Sequence, residues 1–442
     1  MGGDDKLGLL RREREALRRR RAGSVEEAWA RIDRADDHLS VKEKLEKLIR
    51  LKGQGPSRRP ALPAVEPEPR DPVRVFENAY PLEARYGRLS IADGLGIAGS
   101  VLATLSLDSE FQDLDLASSL ILDLETTGLA GGTGTVPFLI GLGFYRDGRF
   151  VVTQHFLGDL GEEERLLDDL DRFIREGGFR SVVTYNGKAF DLPLLETRFI
   201  LHRRKFPLSD LPHLDFLFAA RSLWKHKHES CRLFHLAREV VQAPREEDIP
   251  SAEIPYRYFD YLRTGNFGLI EPILYHNAED ILSLLGLVIA GASLVAGGGR
   301  PPFDEAADPL DLIGLGRVLE RAGDAARSSA AMFEALRGRL PAEVARGVVE
   351  KLTVRLKRSE DWSTAVSLWE GHRQSAPLLC YRELSKYYEH RAKDFDEARQ
   401  YAEEGLALAV SLDASFEKDF ARRVERLTAK ARRRAGKAKA GR

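Results

Sequence analysis

The sequence predicts an α/β domain, in which helices flank a mixed sheet, followed by an all-α domain. Between residues 116 and 298, short apolar runs alternate with helical patterns in the order β, β-hairpin, α, β, α, β, α. An Asp-Gly pair joins two of the apolar runs, which is a strong signal for a hairpin. Beyond residue 307, helical segments share a loose repeat.

Composition limits the class of protein. A chain of 442 residues suggests two to three domains of about 150 residues each, and a hydrophobic content of 43% excludes wholesale disorder. The two cysteines, Cys231 and Cys380, lie far apart, which excludes a disulfide scaffold and a cysteine-based zinc site. The charged N-terminus lacks the apolar core of a secretory signal. We therefore expect a cytoplasmic protein.

The near-zero net charge hides an uneven distribution. Residues 1–60 carry 17 Lys/Arg and 11 Asp/Glu, and residues 417–442 carry 11 and 3, so the intervening residues carry about −15. Basic ends around an acidic centre are expected when the ends help to hold a polyanion. The alternative is two solvated helical tails, and for the ends alone we favour it.

Five regions follow from these shifts in composition. Residues 1–52 predict a charged helical region with a narrow apolar stripe, and residues 53–115 predict a Pro-rich linker with a lead-in segment. The α/β domain is expected over 116–298 and the helical repeats over 307–416. Residues 417–442 are expected to form a basic tail.

Within the α/β domain the predicted elements alternate. The expected strands are 118–125, 136–146, 149–157 and 181–185, with Asp147-Gly148 as a hairpin turn and helices over about 161–176 and 189–204. After residue 217 the pattern is mainly helical. From Ile281 to Gly299 nineteen residues carry no charge, which nearly suffices to span a bilayer. A helix buried against the sheet explains this stretch better, so we expect no contact with a membrane.

The repeat in the second domain rests on three short motifs. Asp361 and Asp394 each begin a D-aromatic-x-x-A motif, 33 residues apart, and Gly323-Asp324 begins a weaker copy. This spacing resembles the tetratricopeptide helix–turn–helix repeat, which often serves to bind a protein partner. A generic helical bundle is the alternative.

Carboxylates at strand ends and helix starts are the candidate site residues. Asp123 and Glu125 alternate on the first strand of this domain and so face the same side. They interrupt a run suited to burial, where two carboxylates repel each other unless a cation compensates. Asp191 and Asp280 each begin a helix, where a negative charge is also favourable without any function. His276 lies four residues before Asp280 and shares its face of the helix.

Together these residues resemble the DEDD superfamily of ribonuclease-H-like 3′–5′ exonucleases. Its three motifs correspond to DLETTG at 123–128, NGKAFD at 186–191 and HNAED at 276–280. More closely, residues 116–290 resemble the YprB-type ribonuclease-H-like domain, a bacterial family of predicted exonucleases whose members often carry C-terminal helical repeats. The resemblance implies a ribonuclease-H-like mixed sheet.

The resemblance also implies a mechanism. Asp123, Glu125, Asp191 and Asp280 would bind two Mg²⁺ or Mn²⁺ ions, which are hard cations that prefer oxygen ligands. DEDD enzymes carry Tyr four residues before the last Asp or His five before it, whereas this chain has His276 at four and Tyr275 at five. Either residue could therefore orient the attacking water. We favour His276 because it shares the face of Asp280 and imidazole titrates near neutrality.

The implied substrate is DNA or RNA, and basic segments supply candidate contacts. The residues are Asn186, Lys188, Arg203, Arg204, Lys205, Arg221, Trp224 and Lys225, with Trp224 as a surface for stacking a base. Alternatively, the basic residues are exposed helix ends and Trp224 belongs to the core. Asp215 is expected to cap the following helix. The glycine-rich run 129–135 lacks a phosphate-loop ending and is expected to be a loop beside the site.

Three functions remain open on the sequence. The first is a metal-dependent 3′–5′ exonuclease, in keeping with the resemblance. The second is a non-catalytic scaffold that binds nucleic acid or, through its repeats, a protein. The third is a structure-selective endonuclease of the same fold.

Overall fold

A computed structural model of the chain describes residues 71–128, 134–243, 249–299 and 307–440. The chain divides into two units, Met1–Glu68 and Pro69–Arg442, and the described residues belong to the second. The helix predicted within residues 1–52, nearly all of the predicted linker and residues 129–133 of the glycine-rich run lie outside the described residues.

The described residues contain eight strands and fourteen α-helices. The strands are β1 (Val73–Pro81), β2 (Arg85–Tyr86), β3 (Leu89–Ser90), β4 (Ser119–Thr126), β5 (Pro137–Arg146), β6 (Arg149–Leu157), β7 (Ser181–Thr184) and β8 (His213–Asp215). The first seven helices are α1 (Gly99–Ser106), α2 (Glu163–Gly177), α3 (Asp191–Leu201), α4 (Phe216–Trp224), α5 (Leu233–Leu236), α6 (Ile254–Thr264) and α7 (Glu271–Ala296). The other seven are α8 (Pro309–Arg321), α9 (Ala325–Ala335), α10 (Ala342–Arg358), α11 (Trp362–Gly371), α12 (Pro377–Tyr387), α13 (Phe395–Leu412) and α14 (Ala414–Ala440).

The predicted mixed sheet is confirmed. Six strands pair in the order β1-β6-β5-β4-β7-β8. The pairs among β1, β6, β5 and β4 are antiparallel, whereas β7 pairs in parallel with β4 and β8. Asp147 and Gly148 both have positive φ, 50° and 68°, in the turn between β5 and β6. The Asp-Gly hairpin therefore forms as predicted.

The sheet begins earlier in the chain than the predicted boundary at residue 116. Strand β1 lies in the segment expected to be linker and lead-in, yet it pairs with β6 along its whole length. It is an edge strand, and only Val73 among its residues is buried. An edge strand with so little buried surface has no regular apolar alternation, which is why its sequence did not predict it.

The two faces of the sheet pack against different helices. Alternate residues of β4 point to opposite sides, so Leu120, Leu122 and Leu124 join the core that includes α2, α3 and α6. Ile121 joins the core formed with α7 on the other face. Asp123 and Glu125 follow Ile121 at two-residue steps, so both face α7, as the alternation predicted.

Helix α7 carries the apolar stretch noted in the sequence. It begins at Glu271, so the prediction that Asp280 begins a helix was wrong, because the polar first turns of α7 do not show the apolar pattern that marks the rest of it. The segment Phe267–Ala296 is long and apolar enough to cross a membrane by length and composition, but 83% of its most apolar window is buried inside the protein. Its side chains pack on the sheet and on the lead-in segment, where they meet Tyr86, Leu89 and Phe111. The stretch is therefore a core helix, and its apolar surface is already covered.

The C-terminal region is helical, and its helices form pairs in the predicted phase. Asp324, Asp361 and Asp394 are the N-caps of α9, α11 and α13, and each side chain accepts a hydrogen bond from a backbone amide of the first turn. The residue before each cap has positive φ. The repeated Asp thus begins the second helix of each pair.

The predicted basic tail begins instead as a packed helix. Phe420 and Leu427 of α14 are fully buried against α13. The buried Glu389 carboxylate accepts hydrogen bonds from Arg426 Nη2 at 2.6 Å and Lys430 Nζ at 2.8 Å. The basic residues of this segment therefore hold the helix in place. The prediction of a tail was wrong because it rested on the charge of the segment and took no account of the apolar residues between the charges.

A buried histidine in β6 generates a pH-dependent prediction. His155 is 2% exposed, and neither ring nitrogen has a hydrogen-bond partner among the described residues. Burial lowers its pKa from 6.5 to about 4. Because the unfolded chain binds the proton first, this histidine costs stability as the pH falls from 6.5 toward 4.

We therefore expect His155→Phe to reduce the acid sensitivity of the fold. Between about pH 7.5 and about pH 5, wild type should lose about 2 kcal/mol of unfolding free energy more than the variant. Urea unfolding of both chains at the two pH values measures the difference. Equal losses in both chains would contradict the assignment.

Candidate active site

The N-terminal half of α7 lies directly on the sheet because β5 has a glycine beneath it. A Cβ atom on Gly141 would stand 2.1 Å from Oδ1 of Asn277, so any side chain there would push the helix away. Asn277 is fully buried at this contact. The missing side chain at residue 141 therefore sets how closely α7 approaches β4 and β5.

Asn277 joins the helix to the first acidic residue. Its Nδ2 donates to Asp123 Oδ2 at 2.9 Å and to the Asp123 carbonyl at 3.3 Å, while its Oδ1 accepts from Gln154 Nε2 at 2.9 Å. Gln154 also donates to the carbonyl of Leu274 at 2.7 Å. Since Gln154 Nε2 donates to Asn277 Oδ1, the Asn277 amide group turns its NH₂ toward Asp123. Sequence reasoning missed this role, although Asn277 lies inside the quoted motif.

His276 lies between two of the predicted carboxylates. Its Nε2 is 3.6 Å from Glu125 Oε1 and 3.5 Å from Asp280 Oδ2, and its side chain is 9% exposed. Tyr275 is 49% exposed and lies near Tyr80, whose pKa it helps to raise. His276 therefore contacts two of the acidic residues directly.

Asp191 reaches the same strand from α3. Strand β7 pairs with β4 only as far as Ile121, which leaves the amide of Leu124 beyond the end of β7. Burial raises the pKa of Asp191 to about 7 and the charge of Asp215 raises it too, whereas the backbone amides of Asp191 and Leu124 act in the opposite direction. The amide of Leu124 thus brings Asp191 to the segment of β4 between Asp123 and Glu125.

Asp215 organises the turn that precedes Asp191. Its carboxylate accepts from the amides of Asn186 at 2.7 Å and Lys188 at 3.1 Å. It also accepts from Leu217 at 3.2 Å as the N-cap of α4, as predicted. The sequence indicated the cap, but nothing local to Asp215 indicated that the same carboxylate holds a turn 27 to 29 residues away.

A buried ion pair holds α3 against α2. Glu163 is 6% exposed and Arg198 is 8% exposed, and Arg198 Nε donates to Glu163 Oε1 at 2.5 Å. Burial alone would raise the pKa of Glu163, but the hydrogen bonds from Arg198 and His202 lower it on balance. The orientation of α3, and with it the position of Asp191, depends on this pair.

The four predicted metal ligands approach β4 from three elements, but they do not form a closed ligand shell. Among the described residues, no three or more His, Cys, Asp or Glu side chains are grouped closely enough to hold a metal ion as they stand. The donor chemistry nevertheless suits a hard cation, because all four donors are carboxylates. The pKa of Asp191, which burial raises most and the charge of Asp215 raises further, is one that a bound cation would lower.

Two adjoining cavities flank this cluster. One, of about 600 Å³, is lined by His276, Asp280 and the side chain of Phe234, which is 40% exposed. The other, of about 740 Å³, is lined by Asn186, Arg221 and Lys225 among others. Both include the residues Ser230, Arg232 and Leu233 in their walls.

The predicted nucleic-acid contacts divide into two groups. Asn186, Arg221 and Lys225 line the second cavity, and Lys188 is exposed in the turn before α3. Trp224 is 1% exposed in the core beside Phe216, so its prediction as a stacking surface was wrong. The prediction rested on the charged run that begins one residue after Trp224, and this proximity in the sequence does not show that the ring turns inward.

The residues Arg203, Arg204 and Lys205 lie away from the cluster. They follow the C-terminal end of α3, whose eleven residues span about 16 Å from Asp191. Arg204 forms ion pairs with Glu164 and Asp168, and Lys205 pairs with Asp210 at 2.7 Å. These pairs account for Arg204 and Lys205, and the length of α3 separates the run from Asp191, so the structure does not bring the run to the site.

Comparison with known proteins agrees with the fold. A sequence profile of the RNase_H superfamily matches residues 120–290, which include all four carboxylates and His276. Proteins of this class are generally phosphodiester hydrolases that act on nucleic acid, and the fold is typically metal-dependent.

A curated relative extends the similarity beyond this domain. Over 366 residues, which cover 80% of this chain and 86% of the relative, the chain is 31% identical to the uncharacterized protein YprB of Bacillus subtilis (strain 168). The chain therefore belongs to the ribonuclease-H-like superfamily and, within it, to the YprB family.

The contact between Gly141 and Asn277 gives a test of the site's construction. Gly141→Ala should lower the free energy of unfolding by about 1–3 kcal/mol, because the added Cβ overpacks a buried contact. The control is Gly347→Ala in the exposed middle of α10, where an added Cβ meets nothing within 4 Å. The control should be neutral or stabilising by up to about 1 kcal/mol.

Chemical unfolding followed by circular dichroism distinguishes the two variants. If Gly141→Ala were as stable as Gly347→Ala, α7 would not be seated on β5 in the way described.

Proposed function

We propose that this chain is a metal-dependent nuclease that hydrolyses phosphodiester bonds of DNA or RNA. The observation that supports the proposal is the position of His276, whose Nε2 lies 3.6 Å from Glu125 Oε1 and 3.5 Å from Asp280 Oδ2. Asp123 shares the face of β4 that carries Glu125, and Asp191 reaches the amide of Leu124 between them. Carboxylates brought together at low exposure repel each other, so a fold that keeps them there gains when a cation binds.

The carboxylates would hold two Mg²⁺ or Mn²⁺ ions. When bound, such ions stabilise charge on the leaving oxygen and on the attacking water. The protein's own contribution is to keep the ligands in place: Asn277 orients the Asp123 carboxylate, and the Leu124 amide orients that of Asp191. Glu125 and Asp280 flank the imidazole of His276.

His276 is the proposed general base. The oxygen of water forms a bond to phosphorus, the bond between phosphorus and the O3′ of the preceding nucleotide breaks, and the water proton passes to Nε2 of His276. The 3.6 Å and 3.5 Å distances from Nε2 to Glu125 and Asp280 support this role, since a water held by the carboxylates would lie close to the imidazole.

Cleavage from 3′ ends is the mode we propose, in keeping with the resemblance to DEDD exonucleases. A structure-selective endonuclease would use the same residues. A circular or 3′-blocked substrate separates the two modes, because only an endonuclease cuts it.

A non-catalytic scaffold is the second candidate. The absence of a closed three-ligand group among the described side chains favours it. A chain of this kind would bind nucleic acid in the cavities, or a protein partner through the helical repeats, without cleaving anything. Metal-dependent hydrolysis distinguishes the two candidates directly.

We expect Asp123→Asn and Asp280→Asn each to reduce hydrolysis of a single-stranded oligonucleotide in Mg²⁺ or Mn²⁺ at least about 100-fold, because each removes a charged ligand. The matched control is Asp113→Asn, an exposed carboxylate in the lead-in segment. Product release followed on a denaturing gel, with and without EDTA, measures the effect.

Undiminished cleavage by both site variants would contradict the proposal. A lack of cleavage by wild type in either metal would favour the scaffold.

A further inference from the structure

The cavity of about 740 Å³ is separate from the carboxylate cluster and has a different charge. Three parts of the fold line it: the turn at Asn186, helix α4 through Arg221 and Lys225, and the segment from His228 to Leu233. The segment is tied to the end of β7, because the Tyr185 hydroxyl donates to the carbonyl of Cys231 at 2.5 Å. This hydrogen bond therefore holds the segment from His228 to Leu233 next to the turn at Asn186.

Three cations line this cavity. Arg221 and Lys225 lie four residues apart on one face of α4, and Arg232 belongs to the opposite wall; all three are exposed. Within the described ranges, none of these three forms an ion pair, in contrast to Arg204 and Lys205. The lining includes one carboxylate, that of Glu229, so the cavity keeps a net positive charge.

Helix α4 is braced from behind by the first helix of the repeats. A Cβ on Gly314 of α8 would stand 1.9 Å from the carbonyl oxygen of Leu223, so the two helices are in backbone contact. Lys227 Nζ pairs with Asp311 at 2.6 Å, and Arg321 Nη1 donates to Ser222 Oγ at 2.8 Å. This side of α4 is occupied, which leaves Arg221 and Lys225 to face the cavity.

The cavity leads toward the carboxylate cluster. Ser230, Arg232 and Leu233 also line the cavity that contains His276 and Asp280. At the other wall, Asn186 begins the turn that leads to Asp191. A chain molecule bound along the basic cavity would therefore reach the acidic cluster without crossing the body of the protein.

We infer that the basic cavity binds the backbone phosphates of a single nucleic-acid strand, upstream of the bond that the carboxylate cluster would cleave. The inference rests on the proposed function for its direction, but the binding site itself depends only on the cavity. Unpaired Arg and Lys side chains neutralise phosphates.

The test measures binding in the absence of hydrolysis. The full-length chain is titrated against a fluorescein-labelled, single-stranded oligothymidylate in EDTA, and anisotropy is recorded over a range of KCl concentrations. The test variant is Arg221→Gln with Lys225→Gln, and the matched control is Arg203→Gln with Lys205→Gln, which removes the same charge at the far end of α3. A charge-conserving variant, Arg221→Lys with Lys225→Arg, serves as the rescue.

The cavity variant should bind about tenfold more weakly, and the slope of log affinity against log salt should fall by about 1.4, as expected for two lost phosphate contacts on a single strand. The control should bind within about twofold of wild type, and the rescue should restore the slope. Equal effects in cavity and control variants would overturn the inference.

Hydrolysis in Mn²⁺ is scored separately from binding. If strand binding depends on the cavity but no cleavage occurs in any metal, the cavity inference stands and the nuclease proposal fails. If cleavage occurs and the cavity variant binds like wild type, the nuclease proposal stands and the cavity inference fails.

Discussion

The hydrogen-bonded chain from Gln154 through Asn277 to Asp123 is the interaction on which the site depends. It crosses from β6 to α7 and back to β4, and it forms only because Gly141 leaves room for the helix to approach. The same contact determines which turn of α7 faces the end of β4. His276 and Asp280 lie opposite Glu125 because Asn277 is seated where it is.

The carboxylate of Asp191 lowers the stability of the fold, and interactions elsewhere in the domain compensate for the loss. Burial and the neighbouring Asp215 raise the pKa of Asp191, so the ionised carboxylate of Asp191 opposes folding in the absence of a cation. In contrast, the buried Glu163–Arg198 pair holds α3 rigidly from its other end. Such a division between a strained site and a well-paired support is common where structure serves chemistry.

Much of this arrangement could be predicted from the sequence, because the strongest signals are local. The alternation of Asp123 and Glu125, the Asp147-Gly148 turn and the repeated Asp caps each depend on residues close together in the chain. The features that the sequence did not predict depend on residues that lie far apart in the chain. Strand β1 is defined by its partner β6, the burial of Trp224 depends on the core around it, and Asn277 matters only because of Gly141 in β5. No local sequence pattern indicates these three features.

We propose that four carboxylates from three elements form one cation site. Anomalous diffraction from a crystal of the full chain soaked in Mn²⁺ tests it most directly, because it reports the number and the position of bound ions without any assumption about activity. We expect two anomalous peaks, each from an ion bound by carboxylates of the set Asp123, Glu125, Asp191 and Asp280. Saturating Mn²⁺ with no peak at this cluster, or with peaks only at other carboxylates, would contradict it.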